Sequence, residues 1–316
     1  MTVLSIAPES DNEGLFLEHQ LIKNHIERKG GDMHTYYIDR IISRSERVCL
    51  SDEGFIIGES EYGFEDIEGV HIHPYIHSSQ ILKDSNESKT KKKNYKKIIE
   101  TIGRIIQMSG ANSVNLQHPK YLNDVYMIQK FQQNTIPHPK TIITNSRDEI
   151  EYFCRDNEEV ILKPVRYPIG MPKKIGKKQI KNGGLPELSG APFIVQKYVS
   201  GPECRVYVVD NEVVGGVTIN SEKASYKYEK EKRHIGWSKR ELQPETKDVA
   251  IRARTAIGSP TGAVDMVLDK GSPTVIETNT IGRFIMLEKF GVPVSEAIAE
   301  YLLTGNYAKD RSGFSR

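Results

Sequence analysis

The stretch 262–279, GAVDMVLDKGSPTVIETN, constrains the fold more than any other part of the chain. Two apolar runs, 262–268 and 273–277, flank the turn LDKGSP, so the spacing predicts an antiparallel hairpin. Asp265 lies on the first strand, and Glu277 and Asn279 lie on the second. Residues two apart along a strand share a face, so Glu277 and Asn279 are expected to aim the same way. A hairpin can bring Asp265 to that side as well, giving three oxygen ligands with no histidine or cysteine among them. Such hard donors suit magnesium rather than zinc. A polar strand end with hairpin-capping side chains explains the same residues, and on this stretch alone both readings stand.

A second unusual residue is Lys163, alone in the apolar strand VILKPV. A lysine inside a central strand is costly unless its ammonium meets an anion, and a nucleotide phosphate in a cleft is such an anion. The following loop, RYPIGMPKKIGKKQIKNGG, is rich in Lys and Gly and either closes over phosphates or lies exposed. Beyond it, FIVQKYVSGPE reads as an apolar strand running into a linker. The linker's backbone can read an adenine edge, and Glu203 is placed to accept a ribose hydroxyl.

The rest of the chain sets these parts in order. TVLSIA at 2–7 reads as a buried strand, and 15–26 as an apolar periodic helix ended by Gly30 and Gly31. Strands are expected at 34–38 and 69–72, with a hairpin within 48–57, so the opening third alternates as an α/β unit does. The basic segment 83–97, KDSNESKTKKKNYKK, reads as a solvated loop and helix start before an apolar helix at 98–108. No aromatic platform accompanies it, and a nucleic-acid partner is not expected. A new unit starts near His118, where YLNDVYMIQKFQQNTIPHPKT predicts a helix stopped by Pro137 and Pro139. RVYVV, a turn at Asp210-Asn211 and EVVGGVTI read as a hairpin, and helices are expected at 248–257 and 294–303.

Composition bounds the remaining possibilities. A chain of 316 residues has room for about two to three units of ordinary domain size. Its 37% hydrophobic and 27% charged content is that of a globular protein, and a net charge of +2 points to no polyanionic partner. The three cysteines, Cys49, Cys154 and Cys204, are far apart and encode neither a disulfide framework nor a CxxC metal site. With no secretory-type N-terminus and no run of about 18 apolar residues, neither membrane nor secretory pathway is expected, and the cytoplasm is the natural compartment.

Taken in order, these motifs resemble the ATP-grasp superfamily, in the RimK-like branch of glutamate ligases that modify a ribosomal protein's C-terminus. The resemblance runs from about Tyr121 to Leu303, with a looser match in the N-terminal third, and VDMVLDKGSPTVIETN is its most specific part. It implies an α/β fold in which two α+β subdomains clamp ATP, preceded by an N-terminal α/β domain. The units would be 1–118 for the N-terminal substrate domain, 119–200 for the central lid subdomain and 201–316 for the subdomain with the metal site. By the same resemblance Lys163 contacts the α- and β-phosphates, Gln196, Lys197 and Val199 line the adenine pocket, and Glu203 holds the ribose. Asp265, Glu277 and Asn279 would carry two magnesium ions, or manganese in their place. Arg205, with Arg233 as a second candidate, would steady the acyl phosphate or the γ-phosphate.

The chain departs from the family pattern in places. Val125 follows Asp124 where the family usually has a lysine, so that phosphate contact is absent or supplied by another residue such as Lys130. The phosphate-covering loop has only Gly170 and Gly176 among its lysines and prolines before the closing Gly-Gly. After Asn279 the family often reads Ser-Pro-Gly, and here TIGRF keeps Gly282 and adds Arg283, a candidate for a substrate carboxylate or an ordinary surface arginine. In GVHIHPYIH, His71 and His73 share a strand face and line the substrate side of the cleft more readily than they hold a metal. Tyr226, Tyr228 and Trp237 are assigned to a flap near the acceptor. The resulting expectation is an ATP-dependent carboxylate–amine ligase, making an amide through an acyl phosphate from an amino acid, cofactor or peptide substrate, as a homodimer or homotetramer. A kinase on the same fold and a non-catalytic nucleotide-binding regulator are the alternatives.

Overall fold

The computed structural model describes residues 1–8, 13–42, 47–73, 89–108, 110–116, 124–165, 172–182, 184–185, 192–220, 236–280 and 282–307. The chain begins with β1 (Thr2–Ala7), α1 (Glu13–Arg28), β2 (Asp32–Tyr37) and α2 (Ile38–Ile42). A small antiparallel sheet follows, made of β3 (Val48–Leu50), β4 (Gly54–Ile57) and β5 (Ser60–Gly63). Then come β6 (Gly69–Ile72), α3 (Lys89–Met108) and β7 (Asn112–Val114). Strands β2-β1-β6-β7 form a parallel sheet in that order. Its central strand is apolar on both sides because both sides are covered. Leu4 and Ile6 pack with Ile72, Ile102 and Ile106 on one face, while Val3 packs with Ile22 and Ile26 of α1 on the other. The helix expected at 98–108 starts nine residues earlier, at Lys89, so the whole second half of the basic segment is helical.

The middle of the chain holds α4 (Asp124–Gln133), β8 (Thr141–Thr144), α5 (Arg147–Phe153), β9 (Glu159–Pro164), β10 (Lys173–Gly176), α6 (Lys177–Lys181) and β11 (Phe193–Lys197). Its antiparallel sheet runs β10-β9-β11-β8 and has its own core, with Ile150, Phe153, Val160, Leu162, Ile175 and Val195. Here the structure corrects the sequence reading, because part of the expected lysine-rich loop is an edge strand and a helical turn. Ile175 is buried opposite Val160, whereas Lys174 faces outward, 2.9 Å from Glu159 and over the Tyr198 ring. A strand with one apolar residue among lysines reads as a loop, yet charged side chains are what an edge strand tolerates. Residues 166–171 and 183 of that segment lie outside the described residues.

The last unit contains β12 (Glu203–Val209), β13 (Glu212–Asn220), β14 (Gly236–Arg240), α7 (Pro244–Ile257), β15 (Thr261–Asp269), β16 (Ser272–Asn279), α8 (Ile285–Lys289) and α9 (Val294–Thr304). The five strands are ordered β14-β13-β12-β15-β16. One face buries Cys204, Val206, Val264, Met266 and Val275 against α7. The other face places Tyr207, Val217 and Ala263 in one core with α9 and with Val3, Ile22 and Met33 of the N-terminal unit. The N-terminal sheet and the last sheet are thus sealed to each other through α1 and α9. Gly69 permits this closeness, since a Cβ there would lie 2.5 Å from the Leu302 carbonyl oxygen. Among the described residues no helix is long and apolar enough to cross a membrane.

Candidate functional site

The hairpin of β15 and β16 turns at Lys270 and Gly271, both with positive φ, at 51° and 95°. Two positive φ values in a two-residue loop give the primed turn that matches the twist of paired strands. From the turn the register runs Asp269↔Ser272 to Met266↔Val275, and there it shifts. Ile276 is an extra residue, so Glu277 instead of Ile276 stands opposite Asp265. Without this bulge an apolar side chain would oppose Asp265, and Glu277 would point to the face that packs on α7. The bulge therefore puts Asp265 and Glu277 on one face, with Asn279 opposite Ala263 on that same face.

The neighbouring strand adds a cation. Arg205 of β12 pairs in register with Asp265, and its guanidinium donates from Nε to Oδ1 and from Nη2 to Oδ2, both at 2.7 Å. Asp265 is 1% exposed and Arg205 13% on their side chains. This two-pronged geometry is the strong form of a charge-assisted bond. It settles one carboxylate of a cross-strand pair that would otherwise oppose like charge to like charge. Glu203 lies two residues from Arg205 on the same face, at the mouth of β12.

The donor set fits magnesium. Two carboxylates and one amide oxygen are too few for an all-protein cage, and among the described residues no group of three or more His, Cys, Asp or Glu is arranged to hold a metal. Magnesium characteristically takes one or two carboxylates and completes its shell with water and substrate phosphates.

In the middle sheet, Lys163 sits on the central strand β9 opposite Ile194, and Gln196 sits opposite Ile161. By alternation Lys163, Ile161 and Gln196 share the face turned away from that sheet's core. Gln196 is buried and donates to Thr141 Oγ1 at 3.2 Å, while Lys197 is exposed and Val199 half-buried in the linker to β12. The structure thus collects the expected residues in two sets on successive sheets. Arg233, Tyr226 and Tyr228 lie outside the described residues. Trp237 lies on β14 against the shared core, and Lys130 stacks over Tyr126.

Next to the Arg205–Asp265 pair lies a cluster that the sequence only half revealed. His71 opposes Ser5 in the parallel sheet, and Ser5 Oγ is 3.1 Å from His71 Nδ1 and 3.4 Å from His19 Nδ1. His19 Nε2 is 3.2 Å from Thr35 Oγ1. The rings of His19, His71 and His73 lie 5.8 to 6.4 Å apart. Burial drives His19 down to about 4 and His71 well below the ordinary histidine range, so both are neutral at pH 7. Glu18, on the same turn of α1, is 3% exposed, and its Oε1 accepts from the backbone N–H groups of Phe284 and Ile285 at 2.8 and 2.7 Å. Burial raises the Glu18 carboxyl above its usual range, against the pull of those N–H groups and of Arg283 and Arg205. Glu18 and His19 belong to none of the sequence motifs and so escape a reading by motif. Their signal was a polar pair at helical spacing from the buried Ile22 and Ile26 of α1.

Residues 123–302 match the family model described as RimK-like ATP-grasp domain. The chain is 28% identical over 205 residues to the tetrahydromethanopterin:alpha-L-glutamate ligase of Methanocaldococcus jannaschii, across 58% of this chain. It spans 64% of that relative's length. Among solved structures, the ATP-grasp ligase PsnB complexed with a phosphomimetic variant of its minimal precursor, Mg and ADP superposes with a TM-score of 0.77 at 17% identity, covering 95% of this chain and 97% of that one. The macrocyclase MdnC bound with precursor peptide MdnA, from Microcystis aeruginosa MRC, superposes at 0.74 with 19% identity, covering 96% and 100%. At such identities the likeness shows the fold, which is the ATP-grasp fold.

Proposed function

Because the chain belongs to the RimK-like ATP-grasp family, we propose that it is a cytoplasmic, ATP-dependent carboxylate–amine ligase that joins an amino acid through its amine to a carboxylate substrate. The observation that carries this reading is the shared face of Arg205, Asp265, Glu277 and Asn279, the last two placed there by the bulge at Ile276. Units 1–118, 119–200 and 201–316 then serve as substrate domain, lid and metal-bearing subdomain. Lys163 binds the α- and β-phosphates, Gln196, Lys197 and Val199 line the adenine pocket, and Glu203 holds the ribose. Asp265, Glu277 and Asn279 hold magnesium, in two ions as the family pattern implies. Bound there, magnesium neutralises charge on the transferring phosphoryl group.

In the reaction the γ-phosphoryl group passes to the substrate carboxylate, giving ADP and an acyl phosphate. The amine nitrogen then forms a bond to the acyl carbon, the bond to the phosphate oxygen breaks, and phosphate and one proton leave. Arg205 lies beside the metal ligands, where a guanidinium stabilises phosphoryl oxygens and orients Asp265 at the same time. Val125 is half-buried on α4, and Lys130 stacks on Tyr126, so the phosphate contact missing at position 125 falls to Lys163 and its neighbours. Support for an amino acid as the amine comes from the M. jannaschii relative, named as an alpha-L-glutamate ligase.

The test is product analysis by phosphorus NMR, with ATP, magnesium, L-glutamate as amine and peptides ending in glutamate as carboxylate. A ligase releases ADP and free phosphate only when both substrates are present. Phosphate retained on either substrate would identify a kinase and overturn the proposal.

A further inference from the structure

The histidine cluster lies at the carboxyl ends of parallel strands, where the neighbours of β1 in the sheet diverge in the chain. The helix after β1 leads to β2 on one side, and β6 pairs on the other. Ligands of open parallel sheets bind in the crevice at such a point. A cleft is found there, between Glu18, His19, His71, His73, Asn115 and Tyr207. Its enclosed part accommodates one group the size of a water molecule or an ammonium. It adjoins the reacting centre. Tyr207 is two residues from Arg205 on one strand face, and Gly282, also in the wall, comes so close to Ala263 that a Cβ would lie 2.5 Å from its Cβ. Ala263 is in turn two residues from Asp265.

The polar atoms of this cleft are unevenly used. Glu18 Oε1 is satisfied by two backbone N–H groups, but Oε2 is buried with no hydrogen-bond partner among the described residues. A buried carboxylate oxygen without a donor is costly. The imidazoles of His19 and His71, kept neutral by burial, do not repel a cation. Outside the cleft, exposed Arg283 is near enough to act on the Glu18 charge, while Arg205 is already matched by Asp265. The buried carboxylate inside and the exposed guanidinium outside mirror the ammonium and carboxylate of an α-amino acid.

Resting on the ligase reading above, we propose that this cleft is the binding site for the amine substrate, with Glu18 Oε2 holding the ammonium of an α-amino acid and Arg283 its α-carboxylate. The cleft then sets both the chemical class of the acceptor and the side from which its nitrogen reaches the activated carboxyl.

The test is calorimetric titration of the full chain, first with AMPPNP and magnesium, then with each proteinogenic L-amino acid and the N-acetyl and α-amide forms of any that binds. At least one amino acid is expected to bind, and its N-acetyl form to bind about tenfold or more weakly, the ratio expected for losing a hydrogen bond to a charged group. Glu18→Gln keeps an oxygen for the Phe284 and Ile285 N–H groups and should erase the difference between free and N-acetylated amine without changing AMPPNP binding. Arg283→Gln, at an exposed position that bears little on folding, should erase the difference between the free acid and its α-amide. The proposal fails if AMPPNP binds but no amino acid does, or if both variants discriminate as the wild type does. Failure of AMPPNP itself to bind would instead sink the ligase reading on which the proposal stands.

Discussion

Buried ionisable side chains at three positions show how single residues shape this protein. Asp265 accepts both arms of Arg205 in a setting where removal of one partner from a buried pair typically costs about 3–5 kcal/mol. The pair is therefore structural as well as near the proposed chemistry, and Asp265 variants confound folding with activity. His19 acts on stability through pH. Its native value of about 4 lies below the ordinary 6.5, so the folded state favours the neutral ring. The contribution is fully present above pH 6.5 and is lost as pH falls from 6.5 through 4, amounting in total to about 3 kcal/mol. His71 shifts in the same direction for the same reason. Urea unfolding at pH 7 and pH 4.5 should accordingly show a marked loss of stability at the lower pH, and His19→Gln should make that loss smaller. An equal loss in the variant would mean that His19 contributes nothing to the acid limb.

Among the elements, the β15–β16 hairpin was the most legible part of the sequence. Asp265, Glu277 and Asn279 stood out because hard-oxygen side chains rarely recur at strand spacing in an otherwise apolar stretch. The bulge at Ile276 was not legible, since an isoleucine in a strand looks the same whether it is paired or extra, and only the register reveals it. The edge strand β10 was hidden for the opposite reason, its lysines imitating a loop while Ile175 alone carried the buried face. Gly282 ties this hairpin to the chain that follows it, in close approach to Ala263. Gly282→Ala should destabilise the protein by about 1–3 kcal/mol, as overpacking at a closed contact does. Thermal unfolding checks this, and an unchanged midpoint would show that the segment can move away from β15 without cost.

The whole molecule joins its first and last parts more tightly than its middle. Val3, Ile22 and Val114 share a core with Tyr207, Val217 and Leu302, whereas the middle sheet closes a core of its own around Val160, Leu162 and Val195. Native-state hydrogen exchange should therefore give the β8–β11 amides an opening free energy below that of β1, β12 and β15, since cooperative units follow contiguous cores. Equal protection throughout would contradict this division. The alternation of the opening third and the two later hairpins were readable from apolar spacing, but the sealing of the N-terminal sheet onto the last one was not. It depends on α1 and α9 meeting across 270-odd residues of chain, roughly the separation of Lys29 from Glu300, whose side chains approach to 3.3 Å. On the proposed reading, the bulged hairpin makes a magnesium–nucleotide site. Its most direct test is calorimetric titration with AMPPNP, with and without magnesium, on the wild type and on Glu277→Gln. The expected result is magnesium-dependent binding by the wild type that Glu277→Gln loses while its far-UV circular dichroism stays unchanged. Equal binding by both proteins, or binding indifferent to magnesium, would contradict the assignment.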